Sequence, residues 1–144
     1  MSRNTQSGVT LIELMIVIVV MTILVSVAVP SYRNYLIRTQ RTEAKTALLN
    51  VRAAQEKFYL QRNKYTNKLT DAPADDGLGM LGTSEGGLYD ITVALQNVDQ
   101  GYVVTATARD DRGQKDDRKC QTLTLNDAGV KGSTGGGGTE YCWR

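Results

Sequence analysis

The sequence predicts an α+β fold in which one long N-terminal helix packs on a small antiparallel β-sheet, with a lollipop outline. Three observations predict it. A nearly uncharged apolar run fills residues 9–29, and a stretch free of glycine and proline follows from Ser31 to about Arg62. Beyond Gly87, short alternating segments are separated by turn residues. A chain of 144 residues allows one small domain beyond the apolar run.

The apolar run comes first. A helix rises about 1.5 Å per residue, so this run reaches roughly 30 Å, enough to cross a bilayer core. Between Val9 and Val29 the only ionisable side chain is Glu13. A carboxylate at such a place costs on the order of 2.5–3.5 kcal/mol on insertion scales, and a simple anchor has no use for one. No Lys, Arg or His lies in the run to pair with it. The nearest cation is a new α-amino group, formed if the chain is cut after Gly8. One helix start cannot close on itself that way, so the amine belongs to a neighbouring subunit.

Residues 1–8 are short and polar and carry Arg3, which places them on the cytoplasmic side. An ordinary secretory leader is cut after its apolar region instead. Ser26-Val27-Ala28 offers such a rival site, and an uncleaved anchor is the other alternative. Pro30 lacks an amide hydrogen and is expected to kink or locally open the helix.

From Ser31 to Arg62, Ala44, Ala47, Leu48, Val51, Ala54 and Phe58 recur at helical spacing and give one apolar stripe for the head to pack on. Arg38, Lys45 and Arg52 repeat every seven residues on another face, with Arg41 close by. A solvated face is expected there, because no aromatics interleave the row and DNA binding has little support. Arg33 and Arg38 could meet lipid headgroups. Segment 31–68 carries nine Lys/Arg against two acidic residues, whereas 69–144 carries seven against twelve, so a basic stem bears an acidic head.

Residues 63–87 read as a loop. Leu88–Leu95 alternates, with Tyr89, Ile91, Val93 and Leu95 on one face, and Tyr102–Ala108 and Gln121–Leu125 read as further strands of a meander. Asn126–Gly129 is a turn leading into Val130-Lys131-Gly132. Segment 110–118 holds four aspartates without calcium-loop spacing and reads as a solvated hairpin tip. Gly135–Gly138 lacks the following Lys-Ser or Lys-Thr of a phosphate loop and reads as a flexible segment. Cys120 and Cys142 read as a disulfide in an oxidising compartment, with two buried thiols as the alternative. The chain has no histidine and two thiols cannot complete a zinc shell, so no metal and no cofactor is expected. An enzyme is disfavoured too, for lack of a histidine base, an activated cysteine or paired carboxylates.

Gly8-Val9-Thr10-Leu11-Ile12-Glu13-Leu14, the long apolar helix and Pro30-Ser31-Tyr32 closely resemble the N-terminus of type IV pilins. Leu88–Val93, Lys119–Asn126, the glycine run and Tyr141-Cys142-Trp143-Arg144 look like PilE-type minor pilins of type IVa pili. The resemblance implies a leader at 1–8, a transmembrane and assembly helix at 9–30, an amphipathic stem at 31–62 and a head at 63–144 that carries the disulfide loop. It implies cleavage between Gly8 and Val9 by a prepilin peptidase, methylation of Val9, and an assembly role for Thr10, Glu13 and Pro30. The family usually has phenylalanine where Val9 stands.

Partners implied are major and minor pilin subunits, the peptidase, the inner-membrane assembly platform and lipid before assembly. Localisation would be the inner membrane with the head in the periplasm, then the extracellular filament, serving twitching motility, adhesion or DNA uptake. A major pilin and a pseudopilin of type II secretion are the alternatives. N-terminal sequencing of the mature protein should read Val9; a start near Val29, or an intact Met1, would contradict the leader assignment.

Overall fold

The computed structural model describes residues 9–111 and 113–144, so the leader and Gly8 lie outside the described residues. Helix α1 runs Leu11–Arg62. Thr10 starts it: its hydroxyl accepts the Glu13 amide N–H at 3.3 Å, satisfying one of the free donors of the first turn. Pro30 sits inside α1 without opening it. Proline removes a backbone donor and its ring crowds the carbonyl four residues back, yet neither ends this helix, contrary to the local opening expected from sequence.

The chain divides into a unit ending at Leu36 and a second, Ile37–Arg144. In the first, the apolar side chains from Leu11 to Val29 are exposed. Among the described residues α1 is the helix long and apolar enough to cross a membrane.

The second unit holds the sheet. Strands β1 (Tyr89–Gln96), β2 (Gly101–Ala108), β3 (Thr122–Asn126) and β4 (Lys131–Thr134) pair in chain order, all antiparallel. The meander is the one the alternation predicts, with β3 one residue later and β4 as a fourth member. A short helix α2, Gly138–Trp143, follows.

One face of the sheet packs on α1. Ala44, Leu48 and Val51 meet Tyr89, Ile91, Tyr102, Val104, Leu123 and Leu125 in a common core that also takes Leu69 from the loop. The buried row of α1 is Arg41, Ala44, Leu48, Val51, Gln55 and Phe58, an unbroken alternation of three- and four-residue steps. Ala47 and Ala54, expected in the stripe, are half-buried beside it.

Two members of that row are polar, and each is satisfied. The Gln55 amide donates to the Thr66 carbonyl at 2.5 Å and accepts the Thr66 N–H at 3.2 Å, which pins the start of the 63–87 loop to the helix. Arg41 forms a two-pronged pair with Asp117, at 2.5 and 2.8 Å, with both side chains nearly excluded from solvent. Segment 110–118 is therefore not a solvated tip throughout: Gln114 and Asp117 are buried, and Asp117 also accepts the Cys120 N–H at 3.3 Å.

The glycine run is not a free tether either. The N–H groups of Gly136 and Gly137 bond to the carbonyls of Arg118 and Lys119. At Gly135 (φ 114°) a Cβ would come within 2.5 Å of the Lys119 carbonyl oxygen, so only glycine passes there. Cys120 and Cys142 are bonded and fully buried, their Cα atoms 5.7 Å apart.

Removing one partner of a buried pair leaves the other charge without compensation. Arg41→Met or Asp117→Leu should each cost about 3–5 kcal/mol in denaturant unfolding of the detergent-solubilised protein, and the double variant should recover much of it. A loss below about 1 kcal/mol, the range of surface pairs, would contradict a buried role.

A candidate nucleic-acid interface and the assembly residues

The N-terminal assembly candidates sit at the start of α1. Val9 is exposed, Thr10 caps the helix and Glu13 lies in its first turn, where the helix dipole favours negative charge. Thr10-Leu11-Ile12-Glu13 has the Thr-x-x-Glu pattern of a capping box, a signal present in the sequence and missed in reading it.

The second unit carries a face whose charge comes from three elements. Arg38, Lys45 and Arg52 lie in one row along α1. The Arg52 guanidinium lies over Gly129 in the β3–β4 turn, where a Cβ would come within 3.0 Å of it. The Lys45 ammonium donates to the backbone oxygen of Arg144 at 2.6 Å, linking the row to the C-terminal segment. Lys131 enters from β4 and Lys119 from the segment before β3. Burial, and after it the charges of Arg41, Lys131 and Arg38, push the Lys45 ammonium below its ordinary value.

Aromatic rings sit among these cations. Tyr141 has the Arg41 guanidinium 4.9 Å and the Lys119 ammonium 5.2 Å from its centroid. The Lys131 ammonium lies 5.1 Å from the Trp143 ring, whose indole N–H donates to the Gly132 carbonyl at 2.8 Å. The disulfide fixes both rings, because Cys142 lies between them in α2. The row Arg38, Lys45 and Arg52 has no printed ring contact of its own; the rings stand beside it, against Arg41, Lys119 and Lys131. They come from residues about a hundred positions away, which no local pattern connects to the helix.

Such a face is suited to a polyanion. Cations can meet phosphates, and ring faces and edges can meet sugars or bases. Arg41 is already neutralised by Asp117 and serves to place Tyr141. Among the described residues no cluster of acidic or cysteine side chains could hold a metal ion.

Comparison with known proteins gives the family. The family model described as "Type IV minor pilin ComP, DNA uptake sequence receptor" matches residues 30–124, and one described as "Prokaryotic N-terminal methylation motif" matches residues 3–29. The fimbrial protein EcpC of Eikenella corrodens is 31% identical over 109 residues, covering 76% of this chain and 67% of that protein. The type IV major pilin protein PilE1 of Neisseria gonorrhoeae is 36% identical over 105 residues, covering 73% and 54%. The non-core minor pilin PilV of Neisseria meningitidis shares the fold, with a TM-score of 0.51 at 20% identity over 70% of this chain and 89% of that one. The chain belongs to the type IV pilin family, in the part of it that the minor pilin model describes. It spans between about half and two thirds of the length of these two sequence relatives.

The Arg41 guanidinium draws the Tyr141 hydroxyl below the usual phenol range; burial opposes this, and Lys119 and Arg38 add to it. Tyr65, Tyr89 and Tyr102 are shifted upward, chiefly by burial. As pH rises, Tyr141 becomes an anion and Lys45 loses its proton sooner than isolated groups would, so the face sheds positive charge early on the alkaline side. Spectrophotometric titration should show a phenol ionising below the ordinary tyrosine range that is absent from Tyr141→Phe, and its persistence in the variant would contradict the assignment.

Proposed function

We propose that this chain is a minor subunit of a type IV pilus that binds DNA through the face formed by Arg38, Lys45, Arg52, Lys119 and Lys131. The observation that carries this reading is that Lys119 and Lys131 lie against the Tyr141 and Trp143 rings while Lys45 of α1 bonds to the backbone oxygen of Arg144 next to them. The match to a minor pilin model whose description names a DNA uptake sequence receptor supports it.

In the same reading a prepilin peptidase cuts between Gly8 and Val9, and the new Val9 amine is methylated. Residues 9–30 anchor the subunit in the inner membrane, in contact with lipid, with the head in the periplasm. The assembly platform then transfers it to the filament among major and minor pilins. There Glu13 offsets the N-terminal amine of a neighbour, while Thr10 and Pro30 shape the helix that packs at the filament axis. The role is structural and ligand-binding rather than enzymatic. A purely structural subunit is the second reading, favoured by relatives described as major pilins.

Duplex DNA binding by the detergent-solubilised protein decides between them. Each phosphate neutralised contributes about −0.9 to the slope of log K against log salt. Replacing Arg38, Arg52 and Lys119 by glutamine should weaken binding and reduce the slope by about 3. Absence of salt-dependent binding would leave only the structural reading. Glu13→Ala should insert into membranes normally, because it removes a polar group from the span, yet be missing from sheared filaments. Its presence there at the parental ratio would contradict the assembly role.

A further inference from the structure

Beside the basic face, Trp143, Lys131, Thr139, Glu140 and Arg144 enclose an open cleft of about 380 Å³. It lies outside residues 30–124, the segment the minor pilin model matches, and is built on α2 and the edge strand β4. Its chemistry is specific. Trp143 packs partly on the core and is held by its bond to Gly132, so the ring has a fixed orientation. The Lys131 ammonium lies 5.1 Å from that ring. Arg144 adds a second cation, held within 3.7 Å of the exposed Glu140 carboxylate, which can accept a hydrogen bond from an exocyclic amine.

We infer that this cleft takes one unpaired nucleotide of a DNA strand: its phosphate draws the Lys131 ammonium off the Trp143 ring and also meets Arg144, and its base takes the place of that ammonium against the ring. This rests on the DNA reading above and narrows it. A base paired in duplex has its faces covered by its neighbours in the stack and cannot present one to a ring in a cleft. Single strands and frayed ends can, and aromatic stacking serves any base sequence. The face along α1 meets the phosphate backbone, and the cleft adds a preference for strand ends or single strands.

Trp143 is the only tryptophan of the chain, so its fluorescence reports on the cleft alone. The full-length protein in detergent is titrated with a labelled single-stranded oligonucleotide and with a duplex of the same sequence closed at both ends by non-nucleotide linkers, following label anisotropy and tryptophan emission together. The single strand should quench Trp143 in parallel with binding, while the closed duplex should bind with little quenching. Trp143→Ala should lose about tenfold in affinity for the single strand and Trp143→Phe less, with a clearly smaller loss for the duplex in each case. Single-strand binding without quenching, or equal quenching by both probes, would overturn the inference and leave the DNA reading standing. Failure of both probes to bind would overturn both.

Discussion

The buried pair of Arg41 and Asp117 is the constraint from which the arrangement of the head's basic and aromatic surface follows. Arg41 occupies a core position of α1, where an unpaired guanidinium would be prohibitive. Asp117 supplies the paired charge from a segment 76 residues away and also receives the Cys120 amide. Cys120 is bonded to Cys142, and Tyr141 lies against Arg41. Helix, pre-β3 segment and C-terminal helix are thereby locked into one arrangement. That arrangement puts Lys119, Lys131, Tyr141 and Trp143 beside the basic row of α1. Desolvation offsets much of a buried pair's attraction, so its value here is positional more than energetic.

A single helix serves two environments. From Leu11 to Val29 it exposes apolar side chains, and from Ala44 to Phe58 it buries one stripe against a sheet. An apolar surface of the first kind demands lipid or other helices. The second kind is an ordinary core interface. Glu13 belongs to the first region yet lies at the helix start, beside the amide that Thr10 caps. It is therefore placed where helix geometry tolerates negative charge.

Much of the fold was legible because apolar periodicity reports burial directly. Tyr89 and Ile91 alternate as a half-buried strand should, and the turn residues around Gly101 and Gly129 delimit the meander. The reading faltered where burial is polar. Arg41 and Gln55 keep the spacing of the core row, but a search for apolar residues passes over them. Asp117 is hidden among aspartates that differ from it only in tertiary contacts. The glycine run gave no sign that its amides would bond to residues 118 and 119. The basic row was visible along α1, whereas its aromatic neighbours come from the far end of the chain and meet it only in the folded head.

In the proposed function one surface of a filament subunit captures DNA while its N-terminal helix handles assembly, and the two roles can be separated in cells. Sheared filaments from cells carrying the parent protein and Arg52→Glu/Lys119→Glu should be compared by quantitative mass spectrometry and by DNA capture. The variant should enter filaments at the parental ratio, with capture lost in step with the charge reversal. Capture that is unchanged, or a parent protein absent from the filaments, would contradict the proposed function.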